Sequence, residues 1–236
     1  MHEMDFRVKL GATPVSPEIA PMPHTCTLIG RATSINVRKV VWTCAEIGLD
    51  YTFDGDWAGE AAVRRRGELL ALNPNGEFPV WIDQDGPLAQ SNTICRHLVM
   101  MAGRHDLLPM PLRARALVEQ WMDWQVSDLN GAWRYAFMAL VRRLPGYDRP
   151  TDIAASVAAW NRLMTILDRQ LDRTGSHVTG DTFTLADIVL ALSANRWRLT
   201  PLEENGGRAD CPAVAAWLGR LAGRPGFTQH VGPDVP

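Results

Sequence analysis

Hydrophobic and polar positions follow two regimes along the chain. Up to about Gly103, short apolar runs alternate with amphipathic stretches; from Leu112 onward only helical spacing remains. Thr25 to Gly30 (TCTLIG) is short, β-favouring and closed by glycine, which predicts a strand. Val37, Val40, Val41, Cys44 and Ile47 then repeat at helical spacing, and Gly48 stands where a C-terminal cap belongs. Tyr51 to Asp56 predicts a second strand, and a helix is expected over about Glu60 to Leu72. Phe78 to Ile82 and Pro87 to Ala89 predict two short strands flanking the turn DQDG. Ser91 is then expected to cap a helix that carries Ile94, Leu98 and Met101 and ends at Gly103.

The order β-α-β-α-β-β-α joins a right-handed β-α-β crossover to a hairpin, the thioredoxin-like arrangement. The stretch HDLLPMPL breaks the pattern with two prolines and predicts a linker at 104–111. Beyond it, Leu117, Trp121, Trp124 and Asp128 share one helix face. Further stripes are Val157, Trp160, Met164, Leu167 and Leu171; Leu185, Ile188, Val189 and Leu192; and Val214, Trp217, Leu218 and Leu221. The expected fold class is α/β plus all-α. It comprises a flexible extension over 1–23, a thioredoxin-like domain over 24–103, the linker, and an all-helical domain over 112–236.

Composition narrows the function. With 46% hydrophobic residues and nine tryptophans, the 236-residue chain can bury a sizeable core. Its net charge is −2 with both signs interspersed, so it lacks the clustered Lys/Arg that nucleic-acid binding needs. No apolar run approaches the roughly 20 residues that span a bilayer, and residues 1–23 lack the apolar core of a signal peptide. Cys26, Cys44, Cys95 and Cys211 are widely separated, with no C-x-x-C pair and no histidine at metal-ligand spacing. Reduced thiols in a cytoplasmic protein and no metal site are the expectation.

Three segments carry candidate chemistry. In RATSINVRKV, Ser34 stands at the mouth of the first helix. Its hydroxyl can cap that helix, or the same helix N-terminus can receive an anion. A thiolate placed there would gain both from the helix terminus and from the O–H donor. Asn36 could hold the hydroxyl or donate a second bond, and the adjacent Thr33 is chemically as able as Ser34. In NPNGEFPVW, Pro79 begins a strand, where proline requires an edge or a special turn. A cis Phe78–Pro79 bond would offer a backbone polar edge to a peptide-like ligand. In QSNTICRHL, Ser91 and Gln90 either serve the helix start or grip a ligand carboxylate there.

Taken together these segments resemble a glutathione transferase. SINVRKV resembles the S-x-N-V-x-x-V signature of phi-class enzymes and is similar to the serine motifs of theta and zeta classes. NPNGEFPV resembles the family's N-P-x-G-x-[VI]-P motif, whose proline is cis, and QSNTICRHL resembles a pi-class segment. GDTFTLADIVLA and WLGRLAGRPGF resemble the family's G-D-x-x-[ST]-x-A-D helix start and its W-x-x-R-x-x-x-R-P-x-F ending. The likeness runs from about Cys26 to Gln229 with the motifs in family order.

The resemblance implies roles for particular residues. Ser34, with Asn36, would stabilise the thiolate of glutathione. Thr33, Glu77, Phe78, Pro79, Gln90 and Ser91 would surround the tripeptide, Phe78 through its backbone and the Gln90–Ser91 pair at the γ-glutamyl end. A hydrophobic electrophile would sit against the helix carrying Trp124, Ser127 and Asp128, with Trp133 and Tyr135 following. Glutathione would be the co-substrate and the assembly a homodimer. Tyr51, Tyr135 and Tyr147 all lie away from the first strand, which disfavours the tyrosine-dependent mechanism. No cysteine lies between Gly30 and Val41, which disfavours classes that form a mixed disulfide. Two rivals are a glutathione-dependent disulfide reductase or peroxidase, and a non-catalytic interaction module of transferase-like fold. Glu77 departs from the family pattern: a carboxylate there would repel the glycyl carboxylate of glutathione.

Overall fold

A computed structural model describes residues 26–231; the extension expected over 1–23 lies outside the described residues. Strand β1 (Thr27–Ile29) feeds helix α1 (Ile35–Ile47), which crosses to β2 (Thr52–Asp54), parallel to β1. After α2 (Gly59–Arg64) and α3 (Arg66–Leu72), the hairpin β3 (Val80–Asp83) and β4 (Gly86–Ala89) completes a sheet ordered β2-β1-β3-β4, and α4 (Ser91–Met101) follows. β3 runs antiparallel to both neighbours, with Leu28 opposite Trp81 and Val80 opposite Ala89. Gly48 closes α1 in the left-handed conformation (φ 66°), as its position in the sequence predicts.

Strand alternation sends neighbouring residues to opposite faces of this sheet. Leu28 and Trp81 are fully buried in the main core with α1 and α4, whereas Ile29 and Val80 join Trp57 and Leu69 in a smaller cluster on the other side. The single helix expected over Glu60 to Leu72 is two helices broken at Arg65. From that break the guanidinium reaches both carboxylate oxygens of Asp54 (2.9 and 2.6 Å) and lies 3.8 Å over the Trp57 ring.

The second half is helical: α5 (Leu112–Trp124), α6 (Asn130–Leu140), α7 (Pro150–Thr174), α8 (Leu185–Leu199), α9 (Pro212–Leu221) and α10 (Pro225–His230). A π-helical turn, Gln125–Leu129, joins α5 to α6. The expected stripe on α8 proves to be burial on every side, from Leu185 through Trp197, which makes α8 the axis of the helical half. Its start is a capping box. The Asp187 carboxylate accepts from the Thr184 N–H (2.9 Å), the Val178 N–H (3.0 Å) and Trp217 Nε1 (2.9 Å).

Both halves share one core, and α1 lies at its centre, packed on α4, α8 and α10. The RPGF segment explains the last contact. Arg224 forms a two-pronged bond with Glu46 (3.0 and 2.5 Å), to which Trp42 Nε1 also donates (2.9 Å). Burial opposes ionisation of Glu46, yet the bonds from Arg224 and Trp42 hold its carboxyl below the ordinary range. Gly226 allows the approach, since a Cβ there would meet Trp42 Cδ1 at 2.0 Å. Lys39 is fully buried where α1 meets the helical half, donating to Asn92 Oδ1 (3.3 Å) and Gln125 Oε1 (2.6 Å). Desolvation pulls its pKa down to about 7. The four cysteines are buried, and burial raises each thiol's pKa. No helix among the described residues is long and apolar enough to cross a membrane.

Two outcomes follow from these buried groups. Asp187→Ala strands three donors, so unfolding in urea should show a loss of about 3 kcal/mol or more, roughly 1 kcal/mol per donor. Lys39 titrates near 7 when folded and near 10.5 when unfolded. Between those values the unfolded chain holds a proton the folded chain has released, so this residue adds stability as pH rises and costs most below 7. The stability of wild type minus that of Lys39→Met should therefore climb between pH 7 and 9. A flat difference in urea titrations would contradict the assignment.

Candidate functional site

α1 begins at the edge of a cavity of about 440 Å³ that lies between the two halves. Thr33, Ser34, Ile35 and Asn36 from the start of α1 form one wall, and Glu77 and Phe78 form another. Trp133, Phe137 and Met138 of α6, with Leu144 beyond it, supply an apolar wall from the helical half. A smaller cavity of about 150 Å³ adjoins it, lined by Asn73, Pro79, Gln90 and Ser91. Asn36, Glu77 and Phe78 line both, so the two form one continuous cleft.

Ser34 occupies the cap position of α1 in extended conformation (φ −78°, ψ 123°), but its side chain makes no capping bond. The helix is started by its backbone: the carbonyl accepts from the Arg38 N–H (3.0 Å), and its own N–H donates to the Arg31 carbonyl (2.9 Å). Its hydroxyl is therefore uncommitted, half-buried, and beside the open N-terminus of a helix, where backbone donors lack intrahelical partners. Thr33 is more exposed and lines the larger cavity alone; Asn36 reaches both.

The Phe78–Pro79 bond is cis. No hydrogen bond to the backbone N–H or C=O of Phe78 occurs among the described residues, so both are open to a ligand in the smaller cavity. Asn73 shapes this corner, donating to the Glu77 carbonyl (2.8 Å) and accepting from the Asn75 N–H (3.2 Å). The expected cap at Ser91 is corrected. Ser91 is the first helical residue of α4, and Gln90 holds the cap position with a positive φ of 72° and no side-chain bond. A non-glycine residue in that region is strained, which is a mark of a functional corner. The Ser91 hydroxyl, spared from capping, faces the smaller cavity.

The wall expected from Trp124, Ser127 and Asp128 lies elsewhere. Trp124 lines a separate groove with Trp121, Ile166 and Arg173, and Ser127 and Asp128 are exposed and bonded to each other (2.6 Å). The π-helical turn at Gln125–Leu129 resets the helical phase, so a face extrapolated along α5 does not continue on α6. Of the aromatics that follow, the cavity takes Trp133, together with Phe137. Trp57, whose exposure the sequence left open, is fully buried and packs edge-on to Phe78 at 5.4 Å.

Besides apolar lining residues such as Phe137 and Met138, the polar contributors Asn73, Arg31, Arg142 and Arg196 escaped the sequence reading. Arg196 did leave a signal, being a cation within the otherwise apolar run LADIVLALSANRW. Glu77 is exposed at the rim and forms no ion pair among the described residues. No group of three or more His, Cys, Asp or Glu side chains among the described residues could hold a metal ion.

Comparison with known proteins places this cleft. The family model for the N-terminal domain of glutathione S-transferases matches residues 24–100, and that for the C-terminal domain matches residues 150–220. Glutathione S-transferase GstB of Escherichia coli K12 is 37% identical over 169 residues, covering 70% of this chain and 79% of that protein. Glutathione S-transferase 3 of Zea mays is 32% identical over 210 residues, covering 86% and 92%. The theta-class glutathione S-transferase of Xanthomonas axonopodis pv. citri, solved with glutathione bound, is 33% identical with a TM-score of 0.78. That match covers 89% of this chain and 98% of the other. With both domain models matched in order and relatives aligned over most of their length, this chain belongs to the glutathione S-transferase family of enzymes.

Proposed function

We propose that the protein binds glutathione in the smaller cavity and adds its thiolate, stabilised by Ser34, to an electrophile in the larger one. The observation that carries this reading is the Ser34 hydroxyl at the open end of α1, uncommitted among the described residues and lining the larger cavity beside Asn36, which lines both. The neighbour solved with glutathione bound supports the choice of thiol. Phe78 would pair its free backbone groups with the cysteinyl unit, and Gln90 and Ser91 would receive the γ-glutamyl end at the start of α4.

The chemistry asked of Ser34 is modest. A free thiol has a pKa of ~8.5, and lowering it by two units needs about 2.7 kcal/mol of preference for the thiolate. One charge-assisted O–H···S bond and a helix N-terminus supply that order of energy. Ser34 acts as donor, not as nucleophile, so no base is required beside it. The sulfur lone pair forms the new bond to carbon, and the leaving group departs with the electrons of the bond that breaks. Trp133, Phe137 and Met138 would hold the electrophile's apolar part.

Thiolate absorbance followed against pH tests the assignment directly. Bound glutathione should ionise well below 8.5, and Ser34→Ala should raise its midpoint by about one to two units, or 1.4–2.7 kcal/mol. An unchanged midpoint moves the role to Thr33 or Asn36. A chlorinated aromatic should turn over faster than a mixed disulfide; the reverse order favours a reductase. Glu77→Gln removes a rim carboxylate near the expected glycyl end. It should tighten glutathione binding by roughly two- to fivefold in calorimetry, the scale of an exposed charge pair.

A further inference from the structure

We infer that the larger cavity takes a small electrophile carrying a negative charge, with the anionic group seated on Arg196. This rests on the thiolate reading above. It deepens that reading by naming the class of second substrate.

Arg196 is 96% buried by its relative exposure of 4%, and it lines the larger cavity. Its Nε is sealed from solvent without a partner, and no side-chain hydrogen bond or ion pair to its guanidinium occurs among the described residues. Its central carbon sits over two rings of the cavity wall, 4.6 Å from the Trp133 centroid and 4.1 Å from that of Phe137. Cation–π contact offsets part of the desolvation, but a buried cation without a carboxylate still costs several kcal/mol. Burial, with the charges of Arg142 and Arg38, drags its pKa down to about 9, which still leaves it charged at neutral pH.

The surroundings do not neutralise it. Arg31 and Arg142 line the same cavity, and buried Lys39 stands close enough behind to interact electrostatically. The sole carboxylate in the lining is Glu77, exposed at the rim. Three arginines against one glutamate leave a positive pocket with aromatic sides, in which Arg196 is buried while Arg31 and Arg142 are exposed. The glutathione thiolate is one candidate counter-charge. However, Arg196 belongs to α8 and packs on α6, within the helical half, and it does not line the smaller cavity where the tripeptide would lie. An anionic group on the second substrate is the partner this placement fits.

Two matched probe pairs test this. 3,5-Dinitrobenzoate and its methyl ester are unreactive and need neither glutathione nor turnover. Calorimetry should show the anion bound at least tenfold tighter than the ester by wild type, with that preference lost in Arg196→Met. 4-Chloro-3,5-dinitrobenzoate and its methyl ester carry the reaction itself: sulfur bonds to the chlorine-bearing carbon and chloride leaves with the C–Cl electrons. The anion-to-ester ratio of kcat/KM should fall at least tenfold in Arg196→Met and partly recover in Arg196→Lys. Should the Met variant fail to fold, Arg196→Gln carries the same comparison. An anion preference that is absent in wild type, or unchanged in the variants, overturns the inference. So does an equal loss for both members of a pair with a raised thiol midpoint, which would assign Arg196 to the thiolate. Anion binding through Arg196 without conjugation would instead defeat the transferase chemistry while leaving this site standing.

Discussion

Burial of most of the surface of α1 is the constraint from which the site follows. Its apolar face packs on the sheet through Val37, Val40 and Cys44, its back meets the helical half through Lys39, and its far end is pinned at Glu46. A helix held in this way has one free end, and the cleft is built around that end. Placing an open N-terminus at a domain junction provides donors and a favourable field without spending any dedicated side chain on them.

Electrostatics divides the cleft into two characters. On the thioredoxin-like side most polar groups are neutral, namely the backbone of Phe78, the amides of Asn36, Asn73 and Gln90 and the hydroxyls of Ser34 and Ser91, while the charged Arg31 and Glu77 are exposed. On the helical side they are aromatic and cationic. Neutral donors suit the peptide groups and carboxylates of a tripeptide. Cations among rings suit a smaller guest whose charge is not otherwise balanced.

Much of the sheet and of the cleft was legible in the sequence because local rules govern both. Period-two runs and closing glycines located β1 to β4, and Gly48 ended α1 where left-handed geometry was required. Ser34, Phe78, Pro79, Gln90 and Ser91 come together because each sits at a strand or helix end that the topology directs to one edge of the sheet. What escaped depends on phase or on tertiary surroundings. The π-helical turn separates the expected wall residues, leaving Trp133 in the cavity and Trp124 in another groove, and no pattern of residue types reveals such a turn. Hydroxyls at Ser34 and Ser91 fit the statistics of capping, yet in neither helix does the side chain bond back. Only the packed structure shows that Arg196 forms no ion pair with a carboxylate among the described residues.

The Glu46–Arg224 clasp joins residues 178 positions apart. Contacts of such separation are the slowest to be found by a folding chain, because the entropy of closing so long a loop must be met before anything is gained. The thioredoxin-like half can pair its strands from neighbours, but the outer side of α1, with Trp42, stays uncovered until Arg224 and Gly226 arrive. Covering the outer side of α1 thus draws on residues from both ends of the described chain, and it does so on the helix whose other end meets the cleft.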